Sequence, residues 1–237
     1  MNIELIHSFI LSCNDPGYLF GGKRTISSFH YRVEKLSDKE ASIEFDFQID
    51  EVNKDQFLSE EQKNDALEEI ENNRKRFINK FKGDCLEVFV EFLIKFMGTD
   101  PLIGVHEYQV EQDNDWGVDG FGIGNNNKPI TVQVKFRNSD CQLTWNDSSM
   151  GNFAADSAFK YGVNTKVHYD KNLRTEVHNL LVITTGKKFH HSITDRSDGA
   201  KIRILNYHGL CILVDNNEVF WSRFEETWMS SLRRVQV

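Results

Sequence analysis

Residues 117–137, G-V-D-G-F-G-I-G-N-N-N-K-P-I-T-V-Q-V-K-F-R, constrain this chain more than any other stretch. Two runs of alternating or β-branched residues, 117–124 and 130–137, flank the turn-forming Asn125, Asn126, Asn127, Lys128 and Pro129, which predicts a β-hairpin. Asp119 then stands on one strand, with Gln133 and Lys135 on its partner. Side chains two apart on a strand share a face, so Gln133 and Lys135 point one way, and Val132, Val134 and Phe136 point the other way, towards a core. A carboxylate beside an amide oxygen and an ammonium can hold a hard divalent cation and a phosphate together. The same charged pair is also a common way to finish the solvent face of a sheet, so the pattern takes its meaning from what surrounds it.

Upstream, Ser59-Glu60-Glu61-Gln62 is a capping box that starts an amphipathic helix, with Ala66, Leu67, Ile70, Phe77, Ile78 and Phe81 on its apolar stripe. A second helix is expected from Gly83-Asp84 to Gly98. Leu86, Phe89, Val90, Phe92, Leu93, Ile94, Phe96 and Met97 leave it almost no polar side. Its charged residues Glu87, Glu91 and Lys95 recur every four positions along one stripe. Asp84 and Glu87 read as a second capping box, and Glu91 with Lys95 as a helical ion pair. A carboxylate on a mostly buried helix, just before the hairpin, is also what a metal site would need from a third element.

Further towards the N-terminus, residues 2–12 suit a short helix. Residues 25–36 and 41–50 alternate with a period of two, placing Ile43, Phe45, Phe47 and Ile49 on one face, so a second β-hairpin is expected. Residues 1–55 thus read as an appendage of helix and hairpin, and 56–237 as the main domain. Downstream of the central hairpin, 151–161 is a small-residue helix, 180–185 (L-L-V-I-T-T) a buried strand, and 202–207 and 210–214 two short strands. Trp221, Phe224, Trp228 and Leu232 give the final segment a helical stripe, read as core or oligomer contact. Base stacking on Trp145, Trp221 or Trp228 is the alternative to packing.

Taken together, these residues resemble the PD-(D/E)xK nuclease superfamily, most closely its Mrr-like, restriction-endonuclease-like branch. The chain carries Gly83 to Glu87 on a helix, Gly117-Val118-Asp119 on a strand and Gln133-Val134-Lys135 on the next, followed by a helix and a strand. The resemblance covers roughly residues 76–215. It departs from the superfamily's name where no proline precedes Asp119 and where Gln133 replaces an acid, a replacement the Mrr-like branch shares. It implies an α/β, restriction-endonuclease-like core with a central mixed sheet flanked by helices. It further implies a metal-dependent endodeoxyribonuclease whose catalytic residues are Glu87, Asp119, Gln133 and Lys135. Mg²⁺, for which Mn²⁺ can substitute, would be bound by Asp119, Glu87, the Gln133 side chain and the Val134 carbonyl. A branched-DNA resolvase shares the same core residues, and a nuclease-fold DNA-binding or interaction module without chemistry is the reading from a different class.

Composition narrows this further. A net charge of −8 argues against a protein that coats nucleic acid with a broad basic surface, though not against a nuclease, whose metal site needs carboxylates. Residues 96–127 hold six acids and no Lys or Arg, whereas 187–203 hold five basic residues beside His190 and His191, which read either as the side for phosphate contacts or as a solvated charged loop. The four cysteines, at 13, 85, 141 and 211, form no CxxC pair and read as reduced thiols of a cytoplasmic protein. Neither a zinc-type His/Cys array nor a P-loop is present, and no apolar run reaches the roughly 18 residues of a membrane span. DNA is the expected partner. A homodimer and a helicase or restriction-system partner are left open.

Overall fold

The first long segment is helical throughout. In the computed structural model, which describes residues 15–111, 117–125, 127–138, 141–146, 148–162, 180–194 and 202–235, helix α1 runs over Ile26–Lys54. This corrects the hairpin expected at 25–36 and 41–50. The same stretch also carries a stripe at helical spacing, Ile26, Phe29, Val33, Leu36, Ala41 and Phe45, and it is this stripe that is buried. Two residues on the supposed inner strand face, Ile43 and Phe47, are 56% and 67% exposed. A continuous helical stripe buries more apolar surface against a neighbouring helix than an isolated hairpin can bury alone. The helix expected over 2–12 lies outside the described residues.

Helix α2, Glu60–Met97, runs through Gly83 without a break, so the two helices expected there are one. The predicted capping box is present in full: the Ser59 hydroxyl accepts from the Gln62 amide at 3.2 Å, and the Gln62 side chain accepts from the Ser59 amide at 2.9 Å. The 38-residue helix spans about 57 Å at about 1.5 Å per residue. Its second half, from Phe81, is buried. The first half pairs with the end of α1 as an arm, where Arg74 bonds Asp46 and Ser42 at 2.9 Å each, and Phe57 near the tip is 98% exposed.

The strands β1 (Val105–Val110), β2 (Gly120–Gly124), β3 (Pro129–Lys135), β5 (Leu180–Thr184) and β7 (Ile202–Leu205) form one sheet in the order β1-β2-β3-β5-β7. The first three are antiparallel, and β3, β5 and β7 are parallel. Helix α3, Ser148–Tyr161, lies in the β3-to-β5 crossover. Two short strands, β4 (Gln142–Leu143) and β6 (Lys188–Phe189), pair separately ahead of the short helix α4, His191–Thr194. Residues 207–214, expected to be partly a strand, form helix α5, Tyr207–Val214, started by the Asn206 side chain, which accepts from the Gly209 amide at 3.1 Å. Helix α6, Glu218–Val235, follows the stripe read from the sequence.

The result is a central mixed sheet with helices on both faces. Val132, Val134, Leu181 and Ile183 face α1, α2, α5 and α6 in the larger core, where Phe29, Phe89, Phe92, Phe220, Trp221 and Phe224 pack ring to ring. Leu180, Val182 and Val118 face Met150 and Phe153 of α3 in a smaller one. Helix α1 contributes Ile26, Phe29, Val33 and Leu36 to the larger core, so the segment read as an N-terminal appendage packs directly on the rest of the fold. Trp221 and Trp228 are buried and Trp145 packs against the smaller core, which favours the packing reading of all three over base stacking. Among the described residues, no helix is long and apolar enough to cross a membrane.

Candidate active site

The sheet changes from antiparallel to parallel at β3, and the residues singled out in the sequence gather at the end where β3 finishes and β2 begins. Alternation along β3 holds as predicted: Val132 and Val134 enter the larger core, while Gln133 lies on the opposite face. That face is not solvent. Helix α3 covers it and Gln133 is 0% exposed, so a surface charge pair does not describe this strand. Gly117 explains how the approach is made. Its φ of +98° suits glycine, and a Cβ there would lie 3.0 Å from the Phe153 amide nitrogen and 3.2 Å from Gln133 Nε2. Gly120 likewise admits the ring of Tyr108 from β1, whose hydroxyl would clash with an added Cβ.

Asp119 directly precedes β2. Its Oδ2 accepts the Val134 amide at 2.5 Å, and its own amide donates to the Val132 carbonyl at 2.9 Å, so β3 fixes it at both ends. Burial pushes the Asp119 carboxyl up to about 7. The negative charge of Glu87 adds to that rise, the Val134 amide and the Lys135 ammonium oppose it, and Asp84 adds a smaller push. The structure thus brings Asp119, Glu87 and Lys135 within electrostatic reach, as the sequence suggested, and adds Asp84. In the sequence Asp84 reads as a helix cap. In the uninterrupted helix it sits one turn before Glu87, buried, with Lys80 Nζ 2.9 Å from its Oδ2. The three-residue spacing on a helix was the available signal.

Glu91 is drawn elsewhere. It is fully buried and its Oε1 lies 2.6 Å from Lys95 Nζ, so the ion-pair reading describes it. Removing the ammonium beside a fully buried carboxylate is costly. Lys95→Met is therefore expected to destabilise the fold by about 3 kcal/mol, read as a lowered urea midpoint with the slope unchanged.

Beyond Lys135 the strand is held by threonine hydroxyls in place of a regular ladder. Thr184 Oγ1 donates to the Lys135 carbonyl at 2.7 Å. Thr185 Oγ1 accepts the Arg137 amide and donates to the Arg137 carbonyl, both at 2.8 Å. Both threonines are buried, and they fix the backbone on which Lys135 is carried. Of the basic residues expected to meet phosphate, Arg203 is a structural clamp: its guanidinium donates to the carbonyls of Ile103 at 2.5 Å and Pro101 at 3.4 Å, and burial lowers its pKa. Lys187 and Lys188 remain at the surface. The rings of His190 and His191 lie tilted against each other, 4.1 Å between centres, beside β4, to which the His190 amide is bonded through Leu143.

Among the described residues, no group of three or more His, Cys, Asp or Glu side chains is close enough to hold a metal ion by itself. Comparison with protein-family models, curated proteins and solved structures gave no match.

Proposed function

We propose that the chain is a metal-dependent endodeoxyribonuclease with a restriction-endonuclease-like core. The observation that carries this reading is the buried Asp119 carboxylate, bonded to the Val134 amide at the end of the sheet and within electrostatic reach of Glu87, Asp84 and Lys135, a setting that pushes it up to about 7. A buried carboxylate whose pKa is raised by neighbouring negative charge marks a place that a cation would neutralise. Further support comes from element order: a helix with Gly83 to Glu87, then β2 preceded by Asp119, then β3 ending in Gln133-Val134-Lys135, then α3 and β5. This is the order of the superfamily the sequence resembles.

The donor set fits Mg²⁺ better than a closed metal cage. Mg²⁺ is ordinarily bound by one or two carboxylates and fills the rest of its shell with water and substrate phosphate oxygens. Asp119 and Glu87 would supply the carboxylates, and Gln133 Oε1 and the Val134 carbonyl the neutral oxygens, with Mn²⁺ able to substitute. Bound there, the ion would polarise the scissile phosphate and acidify a water. The chain's own residues do the rest. The Val134 amide orients the Asp119 carboxylate, and the Lys135 ammonium, a compact charge on a strand pinned by Thr184 and Thr185, stabilises negative charge growing on the phosphate oxygens.

The deciding experiment is cleavage of plasmid, linear duplex and branched DNA with Mg²⁺, with Mn²⁺ and with EDTA. Chelator-sensitive cutting is expected, and the preferred substrate separates a duplex cutter from a junction resolvase. A folded protein that cuts none of the three with either metal would overturn the proposal.

A further inference from the structure

A recess opens next to this site on the side of α1. It has a volume of about 350 Å³, within the range of small-ligand pockets, and is lined by His30, Tyr31 and Glu34 of α1 and by Asn138, Lys187 and Tyr207. Thr185 also lines it, and its amide donates to the Lys135 carbonyl at 3.3 Å, so the recess and the candidate active site share a wall.

The lining has the chemistry of a nucleotide site. Two tyrosines offer aromatic surface. Tyr31 is exposed at the rim, with Lys35 Nζ 5.8 Å from its ring centre, and Tyr207 carries Lys187 Nζ 4.9 Å from its own. Glu34 and Asn138 offer an acceptor-only group and a mixed donor and acceptor, the set needed to meet the edge of a base. His30 is fixed rather than mobile: its ring stacks on Phe136 at 4.4 Å, and its Nε2 meets the Arg137 carbonyl at 3.1 Å. Burial lowers the His30 pKa, and of its charged neighbours Lys82 and Lys187 lower it further while Glu34 opposes them. Positive charge at the recess therefore belongs to lysines, which suit a phosphate as point charges. The rigid wall through Phe136 and Arg137 continues directly from Lys135.

We propose that this recess is a nucleotide subsite that takes one base and its phosphate, with Tyr31 and Tyr207 against the base, Glu34 and Asn138 at its edge and Lys187 on the phosphate. Resting on the nuclease reading, the nucleotide is one belonging to the DNA strand beside the scissile phosphate, drawn out of the stack. A free mononucleotide offers the same chemistry, and the test separates the two.

Binding of fluorescein-labelled single-stranded and duplex DNA would be followed by anisotropy in EDTA, where cleavage cannot intervene, and binding of deoxynucleoside monophosphates by calorimetry. Lys187 and Tyr31 lie at the surface, so their variants are expected to fold, as checked by denaturant midpoint. Tyr31→Ala is expected to weaken DNA binding about tenfold and Tyr31→Phe to leave it nearly unchanged. Lys187→Ala is expected to lower the salt dependence by about one counterion. Mononucleotide binding that is lost in Tyr31→Ala, without DNA binding, would support the subsite with a free nucleotide as its occupant. DNA cleavage by wild type with unchanged affinity in both variants would overturn the subsite and leave the nuclease reading standing. Variant-sensitive DNA binding without cleavage in either metal would do the reverse. Binding of neither DNA nor mononucleotide would overturn the subsite.

Discussion

Lys135→Ala and Asp119→Ala are each expected to lower metal-dependent DNA cleavage by about 10³-fold, the scale on which removal of one group stabilising transition-state charge is felt. The two losses have different origins, and the kinetics should separate them. Lys135 acts on charge that develops as the phosphate is attacked, so Lys135→Ala should lower kcat while the metal concentration needed for half-maximal rate changes little. Asp119 is assigned to the cation, so in Asp119→Asn, which keeps an oxygen for the Val134 amide, that metal concentration should rise steeply. Near-normal cleavage by either alanine variant, checked as folded by circular dichroism, would remove that residue from the mechanism and sink the assignment as a set.

The second large effect is expected in stability as a function of pH. An acid whose pKa rises from 3.8 unfolded to about 7 folded holds a proton in the native state that the unfolded chain has already lost. The favourable contribution is complete below about pH 4 and is lost as pH rises towards 7. At about 1.36 kcal/mol per pKa unit, this amounts to roughly 4 kcal/mol across the window. Thermal melts from pH 5 to 8.5 should therefore show a falling midpoint in wild type and a much flatter profile in Asp119→Asn. Mg²⁺ or Mn²⁺ should raise the wild-type midpoint most above pH 7, where the carboxylate is charged and binding acts by mass action on the folded form. An identical slope in both proteins would show that another group titrates, and a metal response that survives Asp119→Asn would show that the ion is held elsewhere.

The parts of this picture visible in the sequence are those in which local chemistry and burial agree. The central hairpin announced itself through Asn125 to Pro129, and the alternation of Val132, Gln133 and Val134 survived because both faces of β3 are covered by helices. The capping box at Ser59 is satisfied by its own four residues. The misread stretches are those where two periods coexist or tertiary contact chooses. Residues 41–50 alternate convincingly as a strand, yet Phe45 is buried because it meets Phe77 of α2, 5.8 Å between ring centres, information that no window around residue 45 contains. The apolar run from Leu210 to Val214 is too short for its period to decide, and Asn206 tips it into a helix by capping. Gly83 reads as a boundary in the sequence, whereas a single glycine costs a long, buried helix only about 1 kcal/mol. Within the site, Asp119, Gln133 and Lys135 could be found because their spacing is local. Asp84 was hidden by its role as an expected cap. His30 and Tyr207 were hidden because the recess they line joins segments more than a hundred residues apart.

One set of contacts bears on how the chain reaches this state. The amide of Ile26, at the start of α1, donates to Asp215 Oδ1 at 2.8 Å, the Arg24 carbonyl accepts from the Asn216 amide at 2.9 Å, and Arg24 reaches Glu225 at 2.9 Å. Phe29 closes on Trp221 and Phe224, at 5.9 and 6.1 Å between ring centres. Helix α1 leaves the ribosome more than 150 residues ahead of the partners that cap its start and cover its apolar stripe. During synthesis α1 can pair with α2, but its inner face must wait, exposed, until residues 207–228 have emerged. Such long-range closure slows folding and leaves apolar surface open to other chains meanwhile. Stalled or C-terminally truncated products should therefore be the species that aggregate or recruit chaperones, and their exposed face would be the one that α5 and α6 cover in the finished protein.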